Sequence, residues 1–387
     1  MSAATRGFLP SRTLAMLIGL GICNHVLLAG ARVAVSLDAL SRGASAAVVG
    51  VLMALFALLP MIFAIPAGRL ADRIGARRPM AWGSAGCAVA ALLPALWPGL
   101  PALFAASMLA GFSFMLFQVP SQRAVGDLGA PAARAVNFSW YALGFSVSGF
   151  AGPLVAGIAI DRLGFRWAFA VLAVLPAVAA LVVARRRLAL PAARAHDEEV
   201  RTSGMFDLLR YPMLRRVLAL NALFALGWDL HTVFVPIYGS RIGLSASEIG
   251  VILSSFAAAT FVVRFAIPWV GRGWQPMVVL RIALLVSAAV YIAFPFTSST
   301  LALIVLSFVL GLGLGIGQPM VLSLLHEHAP AGRMGETVGL RMSLIQSMSV
   351  TVPLVFGALG TTVGLLPVFG SVGLFLGLGG IAARFRR

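Results

Sequence analysis

Long apolar runs separated by short, arginine-rich loops dominate this sequence from end to end. The runs near 46–67 and 79–97 are each long enough to cross a bilayer as a helix, which takes roughly 20 residues. Hydrophobic residues make up 60% of the chain and charged residues only 11%, against about 25% in an average soluble domain. Such a chain has too little polar surface to face water, so the sequence predicts an all-α integral membrane protein.

Twelve apolar runs can be counted, six on each side of one long polar stretch. The runs lie near 13–35, 46–67, 79–97, 101–120, 136–158, 167–184, 214–237, 247–268, 275–295, 300–322, 337–357 and 362–383. The polar stretch mixes both signs of charge, which is typical of a linker. We therefore expect 12 transmembrane helices in two six-helix bundles, 1–184 and 214–387, joined by a cytoplasmic linker at 185–213.

Positive charge is distributed unevenly between the loops. All 29 basic residues are arginine, of which 22 fall on the side that holds the linker and 4 on the opposite side. Cytoplasmic loops carry the excess of positive charge, so we expect the linker and both termini in the cytoplasm. The net charge of +17 is spread over loops and does not cluster on a soluble domain, which argues against nucleic-acid binding.

The two halves of the sequence match each other at an offset of 200 residues. Gly43, Gly50, Gly111, Gln118, Pro153 and Gly157 correspond to Gly243, Gly250, Gly311, Gln318, Pro353 and Gly357. Glycine and proline set close contacts and bends between helices, so this agreement predicts two pseudo-symmetric bundles. Bundles related in this way are typical of transporters whose substrate site lies between them. The match also favours the first run as a retained helix over a cleaved signal peptide.

The segment between the second and third runs is short, charged and punctuated by glycine. It resembles the loop 2–3 signature of the major facilitator superfamily. Gly68, Leu70, Asp72, Arg73, Gly75, Arg77 and Arg78 fill that pattern, with Ala76 as an extra spacer. The resemblance covers essentially the whole chain and implies a twelve-helix bacterial transporter of the inner membrane.

The same resemblance implies that this segment is a gating loop that closes the cytoplasmic side. Asp72 would face the positive N-terminal end of the eleventh helix, and the contact would break when that side opens. The alternative is that the arginines only anchor the topology.

A second signature of the family lies in the fifth run. Residues 148–157 resemble the antiporter motif, with Ser148 and Ala156 in place of two glycines. The small and kinking residues of this stretch are Gly149, Gly152, Pro153 and Gly157. They predict a bend and a close helix contact. Ser107 stands where proton-driven exporters of the family often carry an arginine, which leaves the coupling residue open.

Polar groups inside apolar runs are costly in a bilayer and are therefore functional candidates. The candidates for substrate or proton sites are Asn24, His25, Arg32, Gln118, Asn137, Tyr141, Asp229, His231, Gln318 and Arg341. Asp229 is the carboxylate placed deepest in a run and is the first candidate for the proton site. His231 and His25 follow, because histidine titrates near physiological pH.

Each candidate also has a structural interpretation. Asp229 and Arg32 would be solvated if they lie near a membrane surface, and His25 would form an interhelical hydrogen bond. Tyr141 and Arg341 are equivalent in the repeat, and we expect both to face a shared cavity.

The leading functional prediction is a proton-coupled secondary transporter that exports a small organic compound as a monomer, without a cofactor or metal. No phosphate-binding loop occurs in the sequence, so the chain encodes no ATP site. The alternative is proton-coupled uptake of an anionic metabolite, favoured by arginines within the runs. Different classes are a sensor or scaffold that has lost transport and a polytopic membrane enzyme. An enzyme is disfavoured because the nearest cluster, His326-Glu327, lacks the H-E-x-x-H spacing.

Overall fold

Helices form almost all of the computed structural model, which describes residues 11–128, 134–185, 205–270, 275–330 and 333–383. The first half contains α1 (Arg12–Ser41), α2 (Ala46–Ile74), α3 (Arg77–Leu96), α4 (Leu100–Asp127), and α5 and α6, which are 134–163 and 165–185 of the segment Arg134–Arg185. A 3₁₀ helix (Met205–Arg210) precedes α7 (Pro212–Arg241), α8 (Ala246–Val270), α9 (Pro276–Ala293), α10 (Thr300–His328), α11 (Met334–Thr362) and α12 (Leu365–Ala382). The described residues contain no strand, and the predicted all-α class with twelve helices is confirmed. Most of the predicted linker lies outside the described residues.

A single glycine separates α5 from α6. Gly164 has φ 79° and ψ 169°, a conformation that glycine adopts without a Cβ penalty. The apolar runs predicted a short loop here, but helical geometry continues on both sides up to this residue. Gly364, at the equivalent place between α11 and α12, has φ 85°. The connection therefore repeats between the two halves.

The helices have the length and composition of membrane spans. Within the described residues, eleven continuous helical stretches meet this standard, and one of them, Val136–Arg185, is 50 residues long. A helix rises 1.5 Å per residue, so about 20 residues cross the hydrocarbon core. The stretch of α5 and α6 is therefore long enough for two crossings.

The turns after α1 and α7 have the same backbone geometry. Gly43 and Gly243 both have φ 81°. The amide of Ala44 donates to the carbonyl of Ala39 at 3.0 Å, and the equivalent bond 200 residues later measures 2.9 Å. This is the Schellman arrangement, in which a left-handed glycine lets the chain satisfy the last free carbonyls of a helix. The internal repeat is thus visible in the backbone as well as in the sequence.

The described residues form two compact units. The first lies within Met1–Ala34 and Ile62–Asp197, and its core includes Leu14, Leu17 and Phe117. In this unit α3 packs against α4 and against the segment of α5 and α6.

The second unit lies within Val35–Met61 and Glu198–Arg387, so it includes the end of α1 and the first half of α2. Here α8 and α9 pack on α10, α9 packs on α12, and α7 packs on α11. The backbones of α2 and α11 are in direct contact at the start of α2. A Cβ at Gly50 would collide with the carbonyl oxygen of Pro353. The amide of Ala47 donates to Thr361 Oγ1 at 2.9 Å, so a side chain of α11 caps the first turn of α2.

The equivalent helix start in the second half uses its own side chains. Ser245 Oγ accepts from the amide of Glu248 at 3.2 Å, and Glu248 Oε2 accepts from the amide of Ser245 at 2.9 Å. This capping box satisfies two free N–H groups at the start of α8. In the first half Ser45 Oγ accepts from the amide of Val48 at 3.4 Å, but Val48 has no carboxylate to return the bond, and Thr361 of α11 supplies a further acceptor.

Candidate functional site

The family signature between the second and third runs is mostly helical. Helix α2 continues to Ile74, so the predicted loop is reduced to Gly75 and Ala76. Gly75 makes the turn with φ 81°. Alanine, leucine and arginine are strong helix formers, which explains why charge alone does not end α2. Asp72 lies on the helix, and its side chain lies outside the described part of the structure.

Arg77 ties the start of α3 to the end of α6. Its Nε donates to the carbonyl oxygen of Val183 at 3.0 Å, and its terminal nitrogen donates to that of Ala184. The last carbonyls of a helix have no partner within the helix, and a cation there also faces the negative end of the dipole. Arg77 therefore caps α6, whereas Arg73 and Arg78 are exposed.

The helix 5 signature produces the predicted close contact. A Cβ at Gly152 would lie 2.8 Å from the carbonyl oxygen of Val26 and 2.9 Å from the nitrogen of Gly30. Only glycine allows α1 and α5 to approach this closely. The other signature positions follow on the same helix: Pro153 and Gly157 are buried and Gly149 is half-buried. A Cβ at Gly68, in the first signature, would instead make an ordinary contact of 3.7 Å with a side chain of α4.

His25 is held by the serine that replaces a signature glycine. His25 Nδ1 lies 2.7 Å from Ser148 Oγ, and that hydroxyl also reaches the carbonyls of Gly144 and Phe145 at 3.1 and 3.0 Å. A serine has one proton, so when it donates to a carbonyl, His25 Nδ1–H must be the donor to Oγ. The imidazole also packs against the rings of Phe114 and Phe145.

Two further candidates of the first half bond to neighbouring helices. Asn24 Nδ2 donates to Ser84 Oγ at 3.0 Å, and both residues are fully buried. Tyr141 donates its hydroxyl to Ser121 Oγ at 3.0 Å and lies in the same buried cluster as Leu14. Tyr141 is 4% exposed and belongs to the core of the first unit.

Asn137 caps the C-terminal end of α4. Its Nδ2 donates to the carbonyl oxygen of Leu128 at 2.8 Å, which gives this polar residue a structural task. Gln118 on α4 and Arg32 on α1 are half-buried.

The carboxylate of Asp229 lies in the middle part of α7, where it is 8% exposed. Ser349 Oγ, on α11, donates to it at 3.0 Å from Oδ2 and 3.3 Å from Oδ1. The bond joins two membrane-spanning helices within the second unit.

Arg341 forms a second polar contact between the same helices. Its Nε donates to Asn221 Oδ1 at 3.0 Å, and the two residues are 5% and 3% exposed. Both contacts join positions 120 residues apart, so α7 and α11 run parallel here. Eight residues at 1.5 Å each place this contact roughly 12 Å along the helices from the Asp229 contact.

The remaining candidates bond to α8 and α10. His231 Nε2 lies 3.1 Å from Ser307 Oγ and is 1% exposed. Gln318 Oε1 accepts from a terminal nitrogen of Arg264 at 3.0 Å. The Arg264 guanidinium also lies 5.9 Å from the centroid of the Trp228 ring, a cation–π distance.

Asp38 is a buried carboxylate that lies outside every predicted apolar run. Helix α1 extends to Ser41, beyond the apolar run, and Asp38 in its last turns is 2% exposed. Arg42 Nε donates to its Oδ1 at 2.7 Å. The spacing of an acid four residues before an arginine was the available signal, since such pairs share a helix face.

The described residues contain twelve membrane-length helices in two repeated halves, with polar side chains paired between helices, which is the architecture of a polytopic membrane transporter. Residues 17–353 match the family described as the Major Facilitator Superfamily, and the chain belongs to that family. The resemblance seen in the two signatures is thereby confirmed.

The chain is also similar to individual proteins. It is 26% identical to the tetracycline resistance protein, class B, of Escherichia coli over 323 residues, which are 80% of this chain and 78% of that protein. Its fold resembles that of the peptide transporter POT in complex with sulfate, with a TM-score of 0.78 and 17% identity over 99% of this chain and 97% of that one. A bacterial homolog of the human lysosomal transporter Spinster has a TM-score of 0.76 and 16% identity, covering 97% of each chain. At these identities the two structures show a shared fold.

Proposed function

We propose that this protein exports a small organic compound from the bacterial cytoplasm across the inner membrane, using the proton gradient. Membership of the superfamily supports transport, and similarity to a tetracycline resistance protein supports efflux. The uneven arginine distribution supports a cytoplasmic position for the linker and both termini. In this proposal the two six-helix halves, 1–184 and 214–387, rock around a site near the midplane.

The observation that carries proton coupling is the buried Asp229 and its bond to Ser349. A carboxylate inside a bilayer is costly when charged and less so when neutral, so gaining a proton changes its free energy there. Because the hydrogen bond crosses from α7 to α11, that change acts on the contact between two helices. Asp229 is therefore the proposed proton site, and His25 and His231 are secondary candidates.

We assign the cytoplasmic gate to the end of α2 and the turn that follows it. The residues of this gate are Gly68, Asp72, Arg73, Gly75, Arg77 and Arg78. The gate would close when Asp72 meets the positive end of a helix from the other half. Arg77, which caps α6, would keep the turn in place while the gate moves.

Everted membrane vesicles with an acidic interior test the proposal, with tetracycline as the transported probe. Asp229→Asn should abolish gradient-driven accumulation and leave gradient-free exchange intact, because asparagine keeps the shape but cannot exchange a proton. Asp207→Asn makes the same chemical change in the 3₁₀ helix, where the carboxylate pairs with Arg210 at 3.5 Å, and should have no effect. Gradient-driven accumulation at the normal rate in Asp229→Asn would show that the proton is carried elsewhere.

The second candidate function is proton-coupled uptake of an anionic metabolite. The observation that favours it is Arg341, a cation buried in the spanning part of α11. Right-side-out vesicles with an acidic exterior separate the two directions. Accumulation of an organic anion inside right-side-out vesicles, without its accumulation in everted vesicles, would show that the protein works as an importer.

A further inference from the structure

The contact between Arg341 and Asn221 has an excess of hydrogen-bond donors. Arg341 Nε donates to Asn221 Oδ1, and Arg341 Nη1 donates to the Met342 sulfur at 3.9 Å, a weak acceptor. Asn221 Nδ2 is buried and has no hydrogen-bond partner among the described residues. No described carboxylate lies within ion-pair distance of Arg341. The cluster therefore contains donors and positive charge without a matching acceptor.

A purely structural role does not require this charge. A buried cation without a counter-ion is costly, and an apolar pair of similar volume packs as well or better. The first half shows such a solution at the equivalent positions. There Gly21 faces the ring of Tyr141, and a Cβ at Gly21 would lie 3.4 Å from that ring. The first half therefore has an uncharged pair, Gly21 and Tyr141, at these positions. The second half has Asn221 and Arg341 there, which carry a positive charge and several hydrogen-bond donors.

We propose that Arg341 and Asn221 form a subsite for a carboxylate of the transported compound, so that the cargo is a small organic acid. A guanidinium binds a carboxylate through two parallel hydrogen bonds, which supplies the missing acceptors and the missing negative charge. This inference rests on the proposed transport function and names the substrate class.

An aromatic residue on the same helix as Asn221 indicates the chemistry of the rest of that acid, beyond its carboxylate. Trp228 lies seven residues after Asn221, and positions with this spacing share a helix face. Trp228 is half-buried on the same side of α7 as the amide. Its ring packs against Phe256 and lies 5.9 Å from the Arg264 guanidinium, which leaves the rest of its exposed surface for an apolar ligand. Seven residues rise about 10 Å along a helix, so an acid bound at Arg341 would need an apolar or aromatic body to reach this ring.

Equilibrium binding to the purified full-length protein in detergent tests the subsite. The probes are benzoate and 1-naphthoate, each compared with its neutral amide, benzamide or 1-naphthamide, by calorimetry and thermal shift. The carboxylates should bind and the amides should not. Arg341→Gln should weaken carboxylate binding about tenfold or more, since it removes a charge-assisted hydrogen bond. Arg341→Lys should retain part of it, and Arg216→Gln, an exposed arginine near the start of α7, should leave it unchanged.

The outcomes also separate this inference from the transport proposal. Equal binding of acids and amides, or unchanged binding in a folded Arg341→Gln protein, overturns the subsite and leaves the Asp229 experiment unaffected. Because binding is measured without a gradient, a failure of proton coupling leaves the subsite intact. A lipid headgroup is another anion that could bind at Arg341. Benzoate binding is therefore also measured in nanodiscs of phosphatidylcholine with and without the anionic lipid phosphatidylglycerol. Loss of benzoate binding in the anionic nanodiscs would assign the site to a lipid headgroup, whereas unchanged binding supports the substrate.

Discussion

Serine hydroxyls hold several of the buried ionisable side chains in this protein. Ser148 bonds to His25 between α5 and α1, and Ser349 bonds to Asp229 between α11 and α7. A serine fits into a tight helix contact and both donates and accepts, so it satisfies a polar partner without separating the helices. In a bilayer, where water does not compensate a lost partner, such pairs fix which faces of two helices meet.

Removing the Ser148 hydroxyl should destabilise the first half. Ser148→Ala leaves His25 Nδ1 without its partner, and an interhelical hydrogen bond of this kind contributes roughly 0.6–2 kcal/mol. The melting temperature of the purified protein should therefore fall. Ser146→Ala is the matched control on the same helix, since among the described residues its hydroxyl bonds to the Ala142 carbonyl alone, at 3.4 Å. An equal fall in both variants would contradict the proposed role of the Ser148 bond.

The sequence located the important polar residues but not their partners. Asp229 and Arg341 stood out because each interrupts an apolar run. Their partners could not be found in this way, because Ser349 and Asn221 are both 120 positions distant and serine and asparagine are common. Pairing depends on how two helices are rotated against each other, which the hydropathy of either one does not determine.

At the scale of the helices, apolar runs located every span but underestimated several lengths. The run at 46–67 became Ala46–Ile74, and the run at 13–35 became Arg12–Ser41. Hydropathy marks the part of a helix inside hydrocarbon, while the backbone continues until a turn residue ends it. Gly43 ends α1 and Gly75 ends α2, both with φ 81°. The glycines in the sequence were thus better markers of helix ends than the limits of the apolar runs.

The contact between α1 and α5 should depend on one glycine. In Gly152→Ala the new Cβ would meet the backbone of α1 at Val26 and Gly30, and overpacking of this kind costs about 1–3 kcal/mol. The melting temperature should fall. Gly19→Ala makes the same change on α1 where no atom lies within 4 Å, and it should raise stability slightly, because alanine is the better helix former. A rise or no change for Gly152→Ala would show that the helices can move apart at little cost.

At the scale of the whole molecule, the internal repeat indicates which contacts must break during transport. Helix α2 belongs to the first half of the repeat, but its first turns pack on α11 of the second half within one compact unit. If the two halves rock against each other, this contact must form and break in every cycle. Contacts between helices of the same half, such as that between α9 and α12, should persist throughout.

A disulfide between α2 and α11 tests this distinction. A Cβ at Gly360 would lie 3.5 Å from the Cβ of Ala46, within the range of about 3.5–4.5 Å that a disulfide requires. In a background with Cys23 and Cys87 replaced by alanine, oxidation of Ala46→Cys/Gly360→Cys should abolish transport, and reduction should restore it.

The control pair is Ala288→Cys/Gly377→Cys, which joins α9 to α12 across a similar Cβ distance of 3.6 Å. Its oxidation should leave transport intact, because both helices belong to one half and move together. Cross-linking yield is measured by the change in gel mobility, and transport is measured in the same vesicles. Full transport by a completely cross-linked Ala46→Cys/Gly360→Cys protein would mean that the start of α2 stays on α11 throughout the cycle. The moving boundary would then have to lie elsewhere in the chain, since α2 would travel with the second half.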